Sequence, residues 1–450
     1  GDRRPGRPVD GRRGGACSRR GGAALTVEPQ ADRTVGDEGA WRAFTRFWWL
    51  QVVGQLGSRS AQLAFPLIAV TAFGAGAGAV GVINALQFLP VFAVSIALGG
   101  MLDHWDRKRA FAVAYAVNVL AFVAVPIAHA VGVPQVPVLL VACAVVGVSI
   151  AFTDLCSQTM PPDLVPPRLL VLANSRMEIV YNAGQVAAPG LAGLAVQFLG
   201  GSTTLVVLAA LSAGSAMLAA NLLLPRRTVA ADRPPLRTRL TGAMDGLRIL
   251  FGDRVLRLLT VQSALFNLLE QAVLTLYLVY AVRAWGFSSG LLGLTITVGG
   301  LGTVLASIAF GLTAGRLRPV WALVGGMGLA SLTPALIPLA AGSTAVLAVW
   351  AAAAFFAYGL GMTAYNIFAV SLRQRLAPPG TLGRVSAGFR LVAWGPIALG
   401  AVLGGAAGEL LGLRPALWLS VAALALCWVV FSLRAVRLAD RFEAVWADAA

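Results

Sequence analysis

The chain has 450 residues, of which 58% are hydrophobic and only 12% are charged, and its mean hydropathy is +0.78. Since soluble domains carry about 25% charged residues, this composition excludes an ordinary water-soluble fold and predicts an integral membrane protein. The formal net charge of +16 does not predict a nucleic-acid partner here, because the arginines concentrate in the turns between apolar runs.

The first 40 residues are rich in Arg, Gly and Pro and hold no apolar run. This composition predicts a disordered tail over 1–40, with no signal peptide inside it. The four cysteines of the chain show no metal-ligand spacing, so neither a metal site nor a disulfide framework is predicted; they are Cys17, Cys143, Cys156 and Cys427.

Apolar runs of about 20 residues or longer fill the rest of the chain. Because backbone groups in lipid must be satisfied internally and these runs do not alternate, helices are predicted rather than barrel strands. The predicted spans, numbered one to twelve, are 43–73, 79–102, 109–131, 136–159, 178–200, 202–224, 257–282, 288–312, 319–340, 344–371, 384–411 and 414–434.

The widest interruption, 225–256, is polar, basic and broken by prolines, and it separates six spans from six. Its second half, from Leu247 to Leu259, predicts a short amphipathic helix on the membrane surface. The predicted domains are therefore two helical bundles, 41–224 and 257–440, joined by the loop 225–256 and followed by a tail at 441–450.

Positive charge predicts the orientation of the spans. Of the 35 Lys and Arg residues, 31 lie in alternate turns and at the two ends, and only Arg283 and Arg414 lie in the opposite turns. Since Lys and Arg are retained in the cytoplasm during insertion, both termini and the 225–256 loop are predicted to be cytoplasmic. The expected location is the inner membrane of a bacterium.

The two halves of the sequence repeat each other. The segment "GGMLDHWDRKR" (99–109) ends span two and "GLTAGRLRP" (311–319) ends span eight, while "TMPPDLVPPR" (159–168) and "RLAPPGTLGR" (375–384) follow spans four and ten. Both pairs are separated by about the same distance along the chain, which predicts a duplicated six-helix unit. The predicted fold class is an all-α membrane protein of about twelve transmembrane helices in two pseudo-symmetric six-helix bundles.

The turn after span two resembles a signature of the major facilitator superfamily, G-x-L-a-D-r-x-G-r-k-x, at Gly99, Asp103, Arg107 and Lys108. In that family the turn locks the cytoplasmic gate: its Asp meets the start of span eleven, and its Arg meets an acid that ends span four. The resemblance implies that Asp154 is this acid and that Arg390 belongs to the same gate. The alternative is that these charges only enforce topology.

Span five contains "GQVAAPGLAG" (184–193), which is similar to the family's antiporter signature, G-x-x-x-G-P-x-x-G-G. Gly184, Pro189 and Gly193 are expected to form a bend point with close packing, and the signature is associated with export. The family's drug–proton signature in span four requires an Arg where Cys143 stands, so the sequence does not support proton coupling by that route. Segments such as "LRQRLAPPGTLGRVSAGFR" (372–390) are most similar to the subgroup of the enterobactin exporter and macrolide efflux proteins.

Polar side chains inside the membrane are costly and face a cavity or one another. Helical spacing places them on single faces of three spans that line the central cavity in the family. We expect the cavity and coupling residues to be Gln55, Arg59, Gln62, Asn267, Glu270, Tyr358 and Tyr365.

Arg59 and Glu270 lie near the middles of spans one and seven and are expected to face each other across the cavity. A carboxyl group holds a proton more tightly when it is buried than when an arginine pairs with it, so a pair of this kind can couple transport to protons. Two other hypotheses stay open: a fixed salt bridge between the halves, or attraction of an anionic, catecholate-like substrate by Arg59.

The predicted function is a secondary transporter, a proton-coupled exporter of a small drug-like or siderophore-like molecule that works by alternating access. An importer or lysolipid mover of the same fold is the alternative, and a non-transporting sensor or scaffold is an alternative of another class. No cofactor, metal or enzymatic activity is predicted. The expected partners are the substrate, the proton and the bilayer, and a monomer is expected.

Overall fold

A computed structural model describes residues 30–98, 107–222, 236–313, 317–378 and 380–447. The described part is helical, with two short 3₁₀ segments at 167–169 and 333–335. Its α-helices are α1 Gln30–Phe73, α2 Ala77–Leu98, α3 Arg107–Ala130, α4 Gln135–Thr159, α5 Pro161–Leu164, α6 Leu170–Leu199, α7 Gly201–Ala220, α8 Leu236–Gly252, α9 Arg254–Arg283, α10 Ser289–Thr313, α11 Pro319–Leu332, α12 Leu336–Leu339, α13 Thr344–Leu376, α14 Leu382–Trp394, α15 Pro396–Leu411, α16 Leu413–Arg437 and α17 Ala439–Ala447.

Ten of the described helical segments are long and apolar enough to cross a membrane. The described apolar part of α2 is shorter, Ala77–Pro90, and α1 is made less apolar by its row of glutamines and an arginine. With these two helices the predicted set of about twelve spans is complete. Span nine consists of α11 and α12, and span eleven consists of α14 and α15.

The same helix pairings occur in both halves. In the first half α1 packs on α6 and α7, α3 packs on α4 and α7, and α2 packs on α4. In the second half α9 packs on α15 and α16, α11 packs on α13 and α16, and α10 packs on α13. Each pairing of the second half is the counterpart of one in the first half, so the duplication predicted from the sequence is present in the packing.

The two halves contact each other mainly through two crossed pairs of helices, α2 with α15 and α6 with α10. Both contacts include the helix ends next to the turns 74–76, 200, 284–288 and 412. We call this the outer end, because the arginine distribution predicts that it faces the outside. Small residues allow the approach: a Cβ added at Gly405 would lie 2.6 Å from the Ala77 carbonyl oxygen, and one added at Gly293 would lie 3.1 Å from the Gly193 Cα atom. We call these contacts the α2–α15 seam and the α6–α10 seam.

Two boundaries differ from the sequence-based prediction. Helix α1 begins at Gln30, inside the stretch 1–40 that was predicted to be disordered. The amphipathic helix is α8, 236–252, instead of 247–259. It ends at Gly252, and the carboxylate of the next residue, Asp253, accepts hydrogen bonds from the backbone N–H groups of Val255 and Leu256 at 2.8 and 3.0 Å. This N-cap starts α9 as a new helix.

Candidate functional site

The polar face of α1 lies against α4 in the first half. Gln51 donates a hydrogen bond to the Ser157 hydroxyl at 2.7 Å, and one turn further along α1, Gln55 donates to the Asp154 carboxylate at 2.9 Å. The glutamines are four residues apart and so project from one side of the helix. The polar side chains that the sequence predicts on one face of α1 are therefore hydrogen-bonded largely to the neighbouring helix α4.

Arg59 forms an ion pair with Asp154, with 3.3 Å between Nη2 and Oδ2. Its guanidinium group also donates to the side-chain oxygens of Gln55 and Gln62 at 3.2 and 3.4 Å. The Tyr181 ring of α6 lies 4.8 Å from the guanidinium carbon, which adds a cation–π contact. Arg59 thus has its charge balanced inside the first half.

Glu270 lies on α9 in the second half, where its carboxylate accepts a hydrogen bond from the Tyr358 hydroxyl at 3.3 Å. No described Lys or Arg forms an ion pair with it. Beside the carboxylate is a cavity of about 30 Å³ whose other lining residues are mostly apolar, Pro334, Ile337 and Phe355 among them. A cavity of this size has room for a water molecule or two.

The remaining predicted cavity residues tie helices of the second half together. Tyr365 is 1% exposed and its hydroxyl lies 3.3 Å from the Ser263 hydroxyl, so it packs inside the half instead of facing open space. Asn267 donates to the Ala393 carbonyl oxygen at 2.7 Å, close to Gly395, the residue between α14 and α15.

The structure does not bring Arg59 and Glu270 together as a pair. The partner of Arg59 is Asp154, which the family resemblance assigned to the cytoplasmic gate, and the partner of Glu270 is Tyr358. The physical reason is that α4 supplies a carboxylate within reach of Arg59 in its own half. Arg59 and Glu270 therefore each have their partner within their own half in this conformation.

The predicted gate is described only in part. Gly99 and Asp103 lie outside the described residues, and the side chain of Arg107, the first residue of α3, is also outside them. Lys108 is half-buried in the first turn of α3. Arg390 lies on α14 with its guanidinium carbon 5.5 Å from the centre of the Trp394 ring. The role of the turn as a gate stays a prediction.

The predicted bend motif lies in a helix that is continuous through Pro189. Gly184 faces α1, where an added Cβ would lie 3.7 Å from Gln55 Cβ and 3.8 Å from Arg59 Cγ. Gly193 faces Gly293 across the α6–α10 seam. The glycines at the two ends of the motif therefore allow neighbouring helices to approach α6 closely.

Sequence reasoning missed several polar contacts. Tyr181 was not selected, because a single tyrosine on a long helix carries no signal of its own. Asn84 donates to the Thr275 hydroxyl at 3.1 Å and links α2 to α9 across the two halves. At the outer end, Gln197 and Glu409 each accept a hydrogen bond from the opposite half. The sequence does carry a signal for these two residues, because they are separated by the repeat distance of the two halves.

Comparison with known proteins identifies the family of the chain. The sequence profile of the Major Facilitator Superfamily matches residues 47–395. The multidrug efflux pump Tap of Mycolicibacterium fortuitum is 27% identical over 364 residues, which cover 78% of this chain and 86% of the relative. The pump of the same name from Mycobacterium tuberculosis H37Rv is 26% identical over 84% of this chain and 88% of its own length.

Solved structures show the same fold at low identity. A bacterial homologue of the iron transporter ferroportin in an inward-facing state superposes with a TM-score of 0.67 at 19% identity, covering 88% of this chain and 99% of the homologue. A POT family transporter in complex with 5-aminolevulinic acid gives a TM-score of 0.69 at 10% identity, covering 89% and 96%. With the profile match over most of its length and this helical architecture, the chain belongs to the Major Facilitator Superfamily.

Proposed function

We propose that this membrane transporter exports a small drug-like molecule from the bacterial cytoplasm and that Glu270 carries the proton that drives export. The observation that supports the proposal most directly is the placement of Glu270: a carboxyl group near the middle of span seven, with Tyr358 as its hydrogen-bond partner and no described cation paired with it. Ionisable groups at this depth are costly and mark transport pathways or proton relays.

The small cavity beside Glu270 supports a proton rather than a substrate as its ligand. Its volume of about 30 Å³ suits water-sized species, and a carboxyl group can take up or release a proton through water.

The charge balance in the first half supports a drug-like substrate over an anionic siderophore. Arg59 is only 10% exposed and is already paired with Asp154. An anion would have to displace this carboxylate before Arg59 could bind it. The named relatives are multidrug efflux pumps, and the antiporter-like motif in α6 is associated with export, so both favour outward movement of a drug-like molecule.

An importer or lysolipid mover of the same fold remains the second candidate, and the direction of transport separates it from the proposal. The proposal is tested in everted membrane vesicles energised by respiration, with the dyes Hoechst 33342 and ethidium as probes. We expect wild-type vesicles to accumulate at least one dye against its gradient, because the inner face of the protein is then outside. Accumulation in right-side-out vesicles alone would indicate import.

The role of Glu270 is tested with Glu270→Gln, which keeps the shape of the side chain but cannot be ionised. This variant is expected to lose accumulation driven by the pH gradient while it retains exchange of labelled for unlabelled dye, which needs no net proton movement. Glu443→Gln is the matched control, because this glutamate lies on α17 outside the spans and pairs with Arg318 at 3.7 Å. If Glu270→Gln accumulates dye as the wild type does, Glu270 is not the proton carrier.

A further inference from the structure

Two hydrogen bonds at the outer end join the halves in the same way. The Gly78 backbone N–H donates to Oε1 of Glu409 at 3.1 Å, and the Gly290 backbone N–H donates to Oε1 of Gln197 at 2.9 Å. In both cases the donor is the second residue of a helix, α2 or α10, and the acceptor lies near the end of its partner, α15 or α6. Both bonds cross from one half of the molecule to the other.

The two contacts are related by the internal repeat. Glu409 follows Gln197 by 212 residues and Gly290 follows Gly78 by the same 212 residues. This distance also separates the repeated segments that end spans two and eight. The duplication has therefore preserved a donor and an acceptor at each of the two places where the halves cross.

Both donors are glycines for a steric reason. A Cβ at Gly290 would collide with the Gln197 side-chain oxygen, and a Cβ at Gly78 would lie 3.1 Å from Cγ of Glu409. The first N–H groups of a helix have no partner within the helix, and the positive end of the helix dipole favours an oxygen acceptor there. The missing side chain lets the acceptor of the opposite half reach these groups.

We infer that Gln197 and Glu409 are twin latches that hold the outer end of the transporter closed. Each latch is a hydrogen-bond acceptor from one half. It binds a backbone N–H group in the first turn of a helix in the other half, which has no partner within its own helix. When the outer end opens, α2 separates from α15 and α10 separates from α6, so both bonds break. The latches therefore stabilise the outward-closed form relative to the outward-open form. Arg283 also donates a hydrogen bond to the Gly74 carbonyl oxygen at this end. This contact between the halves has no counterpart related by the internal repeat among the described residues.

The inference is tested by measuring the width of the outer end. Spin labels are attached to Val133→Cys and Ser343→Cys, exposed positions in corresponding outer turns of the two halves, in a chain whose four native cysteines are replaced by serine or alanine. Pulsed electron–electron double resonance in lipid nanodiscs then gives the populations of the short and long distances. No substrate or proton gradient is needed, so this test is independent of the export proposal.

Loss of one net hydrogen bond changes a two-state ratio by about two- to tenfold. We expect Gln197→Ala and Glu409→Ala each to raise the ratio of outward-open to outward-closed molecules by this amount, and the double variant to multiply the two effects. Glu409→Gln keeps an acceptor oxygen and makes the second latch a copy of the first, so its distances should stay near those of the wild type. Gln185→Ala is the control, because the Gln185 amide bonds to Tyr181 within α6 itself.

Gly78→Ala and Gly290→Ala provide a second route, because each keeps its N–H group and crowds the side chain that accepts from it. They should open the outer end as the latch variants do. An unchanged distance distribution in the Gln197→Ala/Glu409→Ala double variant would overturn the inference. A Glu409→Gln variant that opens as widely as Glu409→Ala would overturn the equivalence of the two latches.

Discussion

The ion pair of Arg59 and Asp154 lies in the membrane-spanning part of the first half, with side-chain exposures of 10% and 28%. Transferring either charge from water is costly, and the pair recovers that cost only through close geometry and additional hydrogen bonds. Gln55 and Gln62 provide these bonds. The pair is therefore one unit, and removal of one member leaves an unbalanced charge.

This leads to a prediction on stability. Asp154→Leu should destabilise the protein by about 1–3 kcal/mol, less than for a fully buried pair because Asp154 is partly exposed. The double variant Arg59→Leu/Asp154→Leu should be less destabilised than Asp154→Leu alone, because it leaves no unpaired charge. Thermal unfolding in detergent, followed by tryptophan fluorescence, gives the order of the melting temperatures. A double variant that melts below the single variant would contradict this account.

At the scale of helices, glycine determines how closely the halves approach. In the α2–α15 seam a Cβ at Gly81 would lie 2.5 Å from the Ala401 carbonyl oxygen, and in the α6–α10 seam Gly293 faces Gly193. Without side chains in between, backbone atoms of the two halves come into van der Waals contact, which is how small residues stabilise helix pairs in membranes. At these glycines the seams are close backbone contacts, and the side-chain hydrogen bonds of Gln197 and Glu409 lie at their outer end.

Gly293→Ala tests the α6–α10 seam. The new methyl group would meet the Pro189 carbonyl oxygen and lie 3.1 Å from Gly193 Cα, so the two helices must move apart. We expect a lower melting temperature and slower dye transport. Gly325→Ala on α11 is the control, because nothing lies within 4 Å of the added carbon and alanine favours a helix over glycine by up to about 1 kcal/mol. Equal effects of the two substitutions would show that the seam does not need its glycine.

At the scale of the whole molecule, the duplicated packing brings the helix ends to two opposite faces. The turns at 131–134 and 340–343 share the outer end, whereas α8 and α17 share the opposite, inner end. The arginine distribution predicts that the inner end faces the cytoplasm. The predicted topology can therefore be checked without knowledge of the substrate.

In a variant of the protein without its native cysteines, Val133→Cys and Met244→Cys are expected to react on opposite sides of the membrane. Their native side chains are 45% and 55% exposed, in an outer turn and on α8 respectively. A membrane-impermeant maleimide should label Val133→Cys in intact spheroplasts and label Met244→Cys only after the membrane is permeabilised. The reverse pattern would invert the predicted orientation of both termini.

The sequence was sufficient for the spans and insufficient for the partners within them. Bilayer thickness sets the length of an apolar run, so predicted spans such as 319–340 and 414–434 agree with the helices to within a few residues. Helical periodicity placed Gln55 and Arg59 on one face but could not say which neighbour that face meets. Asp154 therefore stood apart from Arg59 until the packing of α4 on α1 was known. The roles of the cavity and gate residues stay predictions.

Span eleven is interrupted at one residue, Gly395, which keeps helical backbone angles of φ −53° and ψ −43°; its counterpart, span five, has no such interruption. α14 ends at Trp394 and α15 begins at Pro396, whereas α6 runs unbroken through Pro189. Asn267 donates a hydrogen bond to the Ala393 carbonyl oxygen close to Gly395, and Gly388 of α14 packs against Leu247 of α8. Because Pro396 has no backbone N–H, one hydrogen bond of the helical ladder is missing at this point, and bending there would move α14 and α8 together while α15 stays against α2.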